Sequence, residues 1–110
     1  MKKTKINIEI TLDNQNVPEN INWEATDDPT GQNKDARGMS VSFWDHVHKN
    51  TLRIDLWTKE MEVEEMKRFT IDCLGGLAQT ILSATGDEFM SNEINALCDK
   101  LVEHVKHEEK

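Results

Sequence analysis

The 110-residue sequence is poor in cysteine, in basic residues and in long apolar runs, and it contains no tyrosine. Two cysteines, Cys73 and Cys98, are too few for a disulfide framework, and we expect reduced thiols in the core. No stretch approaches the roughly 18 apolar residues of a membrane span. The basic residues 1–5 precede an alternating segment rather than the apolar segment of a signal peptide. We therefore expect a cytoplasmic protein that does not insert into a membrane.

The scarcity of basic residues bears on the class of partner. The formal net charge is −8, from 13 basic and 21 acidic residues. A protein that binds nucleic acid or an anionic membrane through phosphate contacts presents a basic patch, and only residues 1–5 are locally basic. Eight basic and ten acidic residues precede Met61, whereas five basic and eleven acidic residues lie from Met61 onward. We expect no nucleic-acid partner, and the excess acid lies mainly in the second half.

Alternating apolar and polar residues predict strands in the first half of the chain. Residues 6–12 carry Ile or Leu at every second position, and residues 21–25 also alternate, as strands with one apolar face require. The intervening segment is rich in Asn and Asp and contains Pro18, which is typical of a turn. The two strands are therefore predicted to form a hairpin. Residues 26–38, which follow, are predicted to form a loop.

A second hairpin is predicted from residues 39–44 and 51–57, which alternate on either side of a polar turn at 46–50. Centring the turn places six apolar side chains on one face, opposite one another in three pairs. These pairs are Phe43 with Leu52, Val41 with Ile54, and Met39 with Leu56. The alternative is that residues 34–42 begin as a short helix, which would leave three strands.

The second half of the chain predicts two helices. Apolar residues recur every three or four positions over residues 63–82 and again over 94–105, as in amphipathic helices. Gly86 is a natural terminator of the first helix, and Asp87 or Ser91 is the candidate N-cap of the second.

Gly75 and Gly76 interrupt the first helix at a cost of about 1 kcal/mol each relative to Ala. Either the helix bends there or another backbone packs closely against it.

The order of these elements predicts one α+β domain over residues 1–110, in ββββαα order. An antiparallel sheet of about four strands would form one layer, with the two C-terminal helices packed on one face. Residues 1–5 and 107–110 are expected to be flexible ends. This architecture leaves the other face of the sheet to solvent or to a partner.

That outer face carries the candidate protein-binding residues Trp44, Arg53, Asp55 and Trp57. Trp and Arg often dominate the binding energy of interfaces, because they combine large buried area with hydrogen-bonding reach. A structural interpretation competes with this one. Trp57 could fold around the sheet edge, and Arg53 with Asp55 could form a surface salt bridge worth about 0–1 kcal/mol.

Evidence for catalysis or a cofactor is weak. The sequence contains no nucleophile elbow, zinc-protease motif, phosphate-binding loop or dinucleotide fingerprint, and we predict neither catalytic residues nor a cofactor. The one alternative is a small metal-dependent enzyme or ligand-binding protein that uses Asp45, His46, His48 and Asp55. Two histidines in a polar turn are, however, more often simply solvated.

Four segments of the sequence are distinctive: residues 42–45 (SFWD), 51–61 (TLRIDLWTKEM), 16–23 (NVPENINW) and 64–67 (EEMK). These segments resemble the GldC family of small proteins associated with bacterial gliding motility. The resemblance covers nearly the whole chain. It implies a cytoplasmic accessory role in the gliding apparatus, with no established enzymatic activity or cofactor, and it supplies no catalytic residues.

We therefore expect a non-enzymatic accessory protein of gliding motility that binds another protein of the apparatus through its outer sheet face. Self-association is a further alternative, in which outer sheet faces or edge strands pair in a homodimer.

Overall fold

The computed structural model describes residues 1–27 and 34–108 and divides the chain into two compact units, Met1–Glu62 and Val63–Lys110. The first unit contains antiparallel strands and the second contains two helices, so the predicted α+β class is confirmed. The elements are β1 (Ile6–Leu12), β2 (Pro18–Ala25), β3 (Asp35–Ala36), β4 (Gly38–Asp45), β5 (Asn50–Trp57), α1 (Val63–Thr85) and α2 (Glu88–Glu108). That the units form a single domain, with the helices packed on one face of a sheet, stays a prediction.

The predicted hairpin of β1 and β2 is confirmed. The strands pair antiparallel from Ile6 opposite Ala25 onward. Asp13 organises the turn, because its Oδ1 accepts the backbone N–H groups of Gln15 at 2.8 Å and Val17 at 3.0 Å. Asn16 takes the left-handed conformation that a short polar side chain tolerates, with φ of 63°.

The hairpin of β4 and β5 is confirmed in the predicted register, and the alternative of a helix over residues 34–42 is wrong. The three predicted apolar pairs face one another: Phe43 with Leu52, Val41 with Ile54, and Met39 with Leu56. At the start of the connecting turn, Asp45 Oδ1 accepts the backbone N–H groups of Val47 and His48. Lys49 closes the turn in the left-handed region, with φ of 57°.

The expected single sheet of about four strands is replaced by two sheets. One has the order β1-β2-β3 and the other pairs β4 with β5. The chain passes from the first sheet to the second at Arg37, which separates β3 from β4. Just after β5, the backbone N–H of Thr58 donates to the Arg37 carbonyl at 2.7 Å, and that of Lys59 donates to the Pro18 carbonyl at 3.1 Å. These residues therefore hydrogen-bond to β2 and to the residue at which the chain changes sheet.

The strand β3 corrects part of the predicted loop over residues 26–38. Its two residues, Asp35 and Ala36, pair with Asn22 and Ile21 of β2. Two residues are too few to show an alternating pattern, so the pairing has no sequence signal. The central part of the predicted loop, residues 28–33, lies outside the described residues.

The first unit has a small interior at the place where the two sheets meet. Ile21 of β2 and Thr58 are fully buried. The Oγ1 hydroxyl of Thr58 has no hydrogen-bond partner among residues 1–27 and 34–108. A buried hydroxyl without a partner lowers stability, because its hydration is lost without replacement.

The helix α1 is continuous through Gly75 and Gly76 and ends at Thr85. Gly86 terminates it as predicted, with φ of 73° and its N–H donating to the Leu82 carbonyl at 2.8 Å. Of the two candidate N-caps of α2, Asp87 takes the role, because its Oδ1 accepts the backbone N–H of Met90 at 3.0 Å.

Small residues join α1 to α2. Ser91 is buried within α2, and its Oγ donates to the carbonyl of the buried Ala78 of α1 at 3.0 Å. The thiols of Cys73 and Cys98 are free and half-buried. The last turn of α2 includes Glu108, whose carboxylate accepts from Lys67 Nζ at 2.7 Å in an exposed ion pair that bridges the two helices. The predicted flexibility of residues 1–5 and 107–110 stays a prediction, and residues 109–110 lie outside the described part.

Candidate functional site

The four candidate binding residues share the polar face of the β4–β5 hairpin. Facing residues of an antiparallel pair project from the same side, and every second residue repeats that side. The facing pairs are Gly38 with Trp57, Ser40 with Asp55, Ser42 with Arg53, and Trp44 with Thr51. We call this surface the tryptophan-flanked face; it consists of Trp44, Trp57, Ser40, Ser42, Arg53 and Asp55.

Arg53 lies at the centre of a closed hydrogen-bond network. Its Nε donates to Asp55 Oδ2 at 3.1 Å and its Nη2 to Asp55 Oδ1 at 3.0 Å, so the ion pair is bidentate. The Nη1 group donates to Ser42 Oγ and the Nη2 group to Ser40 Oγ, both at 2.9 Å. The Ser40 hydroxyl in turn donates to Asp55 Oδ1 at 2.6 Å. The guanidinium is therefore fixed to side chains of both strands.

This network stays open to solvent. The side chains of Arg53 and Asp55 are 52% and 46% exposed. The Ser40 hydroxyl and then the Arg53 guanidinium hold the pKa of Asp55 below its ordinary value of 3.8. Asp55 is therefore ionised at neutral pH, and the pair with Arg53 carries no net charge.

The two tryptophans occupy opposite ends of the face. Trp44 is 64% exposed and Trp57 is 54% exposed, so Trp57 does not fold away to cover a core. Three steps of two residues separate their positions in the ladder, which corresponds to roughly 20 Å along the strands. The third tryptophan, Trp23, belongs to the other sheet, where the Lys34 ammonium lies 5.2 Å from its ring centre.

The face combines apolar rings with hydrogen-bonding groups. Its two indole rings offer apolar area, and each indole N–H can donate a hydrogen bond. Between the two rings, four N–H groups of the Arg53 guanidinium donate hydrogen bonds to side chains of the hairpin. Restrained polar groups therefore lie between two exposed aromatic rings.

The alternative metal site over Asp45, His46, His48 and Asp55 is not assembled. Asp45 belongs to the apolar side of the ladder, whereas Asp55 lies on the opposite side, next to Ser40. Asp45 instead accepts the His48 ring Nδ1 at 2.8 Å and two backbone N–H groups, and these hydrogen bonds lower its pKa. Within the described ranges, no group of three His, Cys, Asp or Glu side chains could hold a metal ion.

Ser40 and Ser42 are the members of the network that the candidate residues did not include. Alternation places both serines on the polar face, but it assigns them no role. The signal that identifies them is the cross-strand register, which puts Ser40 opposite Asp55 and Ser42 opposite Arg53. Small hydroxyls at these two positions leave room for the longer guanidinium to lie across the hairpin.

The first unit also contains a groove of about 560 Å³ near the junction of its two sheets, with mostly polar walls. Its lining includes Asn20, Arg37, Thr58 and Lys59. Lys59 Nζ crosses this region to Asp13 at 3.0 Å and Glu19 at 3.1 Å, so the ammonium is committed to structural ion pairs. We therefore assign the groove no binding role.

Fold and surface together define a small α+β protein with an ordered, exposed polar face on a β-hairpin. Residues 18–107, well over half of the chain, match the family model described as GldC-like, gliding motility-associated protein GldC-like. The chain therefore belongs to the GldC-like family, and the resemblance seen in the sequence is confirmed. No curated protein and no solved structure matches the chain. Neither helix in the described ranges has both the length and the apolar character needed to cross a membrane.

Proposed function

We propose that this GldC-like protein is a non-enzymatic, cytoplasmic accessory protein of bacterial gliding motility. It acts by binding another protein of the motility apparatus through the tryptophan-flanked face. Family membership supports the connection with motility. The observation that carries the binding role is the fixed network of Arg53, held in place while about half exposed between two open tryptophans.

Pre-organisation makes this surface suited to binding. A mobile arginine loses rotamer freedom on association, at a cost of about 0.5–1.5 kcal/mol for a side chain of this kind. Arg53 is already restrained by Ser40, Ser42 and Asp55, so much of that loss has occurred on folding. The free energy of burying the indoles is then available for affinity.

The exposed areas are consistent with the centre of an interface. A Trp side chain can bury 150–250 Å², so the exposed fractions of Trp44 and Trp57 correspond to about 200–300 Å² together. A standard interface buries about 800 Å² per partner. The two rings would supply roughly a third of that area and would act as its anchors, with a partner that reaches beyond the face.

The test uses two variants and one matched control. Arg53→Ala and Trp57→Ala remove the central network and one anchor, and Phe89→Ala removes an exposed aromatic side chain from α2, 73% exposed against 54% for Trp57. Each variant replaces the native protein in a gliding bacterium, with circular dichroism used to check that it is folded. Crosslinking and mass spectrometry identify its neighbours in the cell.

We expect the first two variants to lose a shared set of crosslinked partners and to reduce gliding, while Phe89→Ala retains both. If Arg53→Ala and Trp57→Ala keep the same partners and normal gliding, the face is not the working surface. Equal losses in all three variants would likewise contradict a role specific to this face.

A further inference from the structure

The strand β1 ends its sheet with one open edge. The sheet order is β1-β2-β3, and no described strand pairs with the outer side of β1. Natural proteins protect such edges with proline, with charged side chains, especially lysine, or with a bulge. Residues 6–11 contain neither Pro nor Lys, and the register is regular until the shift between Thr11 and Leu12. The first six residues of the strand therefore present a regular edge on which Glu9 is the single charge.

The hydrogen bonds of β1 identify the groups at this edge. The Lys5 carbonyl accepts the backbone N–H of Thr26 at 2.9 Å, and the Lys5 N–H donates to Thr26 Oγ1 at 3.2 Å. Lys5 thus directs its backbone groups toward β2. In an antiparallel ladder this direction alternates, so Ile6, Ile8 and Ile10 direct their N–H and C=O groups outward.

We propose that β1 pairs antiparallel with β1 of a second copy of this chain, about a two-fold axis at Asn7. In this register Ile6 lies opposite the partner's Ile8, and their outward backbone groups exchange hydrogen bonds. Lys5 lies opposite the partner's Glu9, and the two-fold axis generates a second, equivalent pair of opposite charges. The two three-stranded sheets become one continuous sheet of six strands.

Charge favours this register over those with the two-fold axis at Ile8 or at Glu9. Lys5, Asn7 and Glu9 project from the same side of the strand, and all three are exposed. No ion pair to Lys5 or Glu9 occurs within the described part of the chain. An axis at Glu9 would place two carboxylates directly opposite one another, and an axis at Ile8 would place Lys5 opposite Thr11. Of the axes at Asn7, Ile8 and Glu9, the one at Asn7 places Lys5 of each copy opposite Glu9 of the other.

The other side of the strand supports the same pairing. Ile6 is 70% exposed and Ile8 is 41% exposed in the single chain. Facing β-branched side chains across an antiparallel pair stabilise it. Both isoleucines of each copy lie beside the axis and lose part of this exposure. The edge belongs to a different sheet from the tryptophan-flanked face, so the pairing does not rest on the proposed function.

The test is a charge swap, measured by sedimentation equilibrium on the purified chain. Lys5→Glu and Glu9→Lys each turn two attractive pairs into two repulsive pairs, and we expect the dimer dissociation constant to rise about tenfold or more. The double variant restores opposite charges and should return close to the native constant. Within one chain the two positions lie about 13 Å apart, too far for the swap to act internally.

A cysteine crosslink tests the register itself. Two Asn7 residues meet at a non-hydrogen-bonded position with Cα atoms about 4.5 Å apart, which a disulfide can span. Asn7→Cys should therefore form a 7–7 disulfide on mild oxidation, identified by peptide mass spectrometry. Thr11→Cys, on the same side but far from the axis, should form no 11–11 disulfide.

The pairing is overturned if the native chain is monomeric at every concentration, or if the double variant is no stronger a dimer than the single ones. A dimer in which Thr11→Cys crosslinks and Asn7→Cys does not would overturn it as well.

Discussion

Gly75 and Gly76 allow the sharpest prediction of stability. Both lie well inside α1, away from its ends at Val63 and Thr85. Beyond the neighbouring residues and the adjacent turns of α1 itself, a methyl group built on either backbone meets no atom of the described residues within 4 Å. Neither glycine has a positive φ, unlike Gly86, so the helical backbone accepts an alanine at both positions. We predict that Gly75→Ala and Gly76→Ala each stabilise the helical unit.

The magnitude follows from helix propensity. Gly is about 1 kcal/mol less favourable than Ala inside a helix, because its unfolded backbone has more freedom to lose. With no steric cost to subtract, the double variant should gain about 2 kcal/mol in free energy of unfolding. That gain corresponds to a roughly 30-fold larger folding constant. For a domain of this size the midpoint should rise by roughly 8–16 °C.

The assay is thermal and urea unfolding followed by the far-ultraviolet circular dichroism of the helices. Ala96 provides a matched control in the opposite direction, because it is an exposed alanine within α2. Ala96→Gly should lose about 1 kcal/mol. The reasoning is refuted if the glycine variants are unchanged or less stable while the control behaves as expected. Such a result would mean that another backbone packs against Gly75 and Gly76.

Three further substitutions test separate contacts. Thr58→Val, which removes a buried hydroxyl without a described partner, should raise the free energy of unfolding by about 1 kcal/mol in urea titrations. Asp87→Ala, which removes the N-cap of α2, should lower it by about 1 kcal/mol in the same measurement. Ser40→Ala should raise the pKa of Asp55 toward 3.8 in an NMR titration, since the Ser40 hydroxyl is the main cause of its lowering. Because the folded pKa is lowered, this carboxylate contributes stability above its unfolded pKa and loses it as the pH falls through the folded value.

Each of these predictions has a contrary outcome. A less stable Thr58→Val variant would show that the hydroxyl is satisfied in solution. An unchanged Asp87→Ala variant would show that α2 does not depend on its side-chain cap. An unshifted titration of Asp55 in Ser40→Ala would assign its low pKa to Arg53 instead.

Side-chain alternation explains why the β4–β5 hairpin could be predicted in detail. A shift of the pairing by one position would turn the three apolar residues of one strand to the other face, and centring the turn at 46–50 selects among the remaining registers. Alternation could not predict β3, because its two residues, Asp35 and Ala36, are too few to show an alternating pattern. It also could not place the change of sheet at Arg37, which depends on backbone hydrogen bonds from Thr58.

The candidate site was predictable as a set of positions but not as a network. Strand period alone places Trp44, Arg53, Asp55 and Trp57 on one side. The bonds from Arg53 to both serines depend on rotamers and on the exact pairing of two strands, which no local pattern specifies. The alternative metal site is not assembled for a related reason. Two of its candidate ligands, Asp45 and Asp55, project from opposite sides of the β4–β5 ladder.

The placement of the tryptophans has a practical consequence for optical spectroscopy. Trp23, Trp44 and Trp57 all lie in strands of the first unit, and both helices lie in the second. Intrinsic fluorescence therefore reports on the strands, while the far-ultraviolet dichroism is dominated by the helices. The unlabelled protein carries a separate optical signal for each unit. Coincident unfolding curves from the two signals would identify one cooperative transition, and displaced curves would measure the stability of each unit individually.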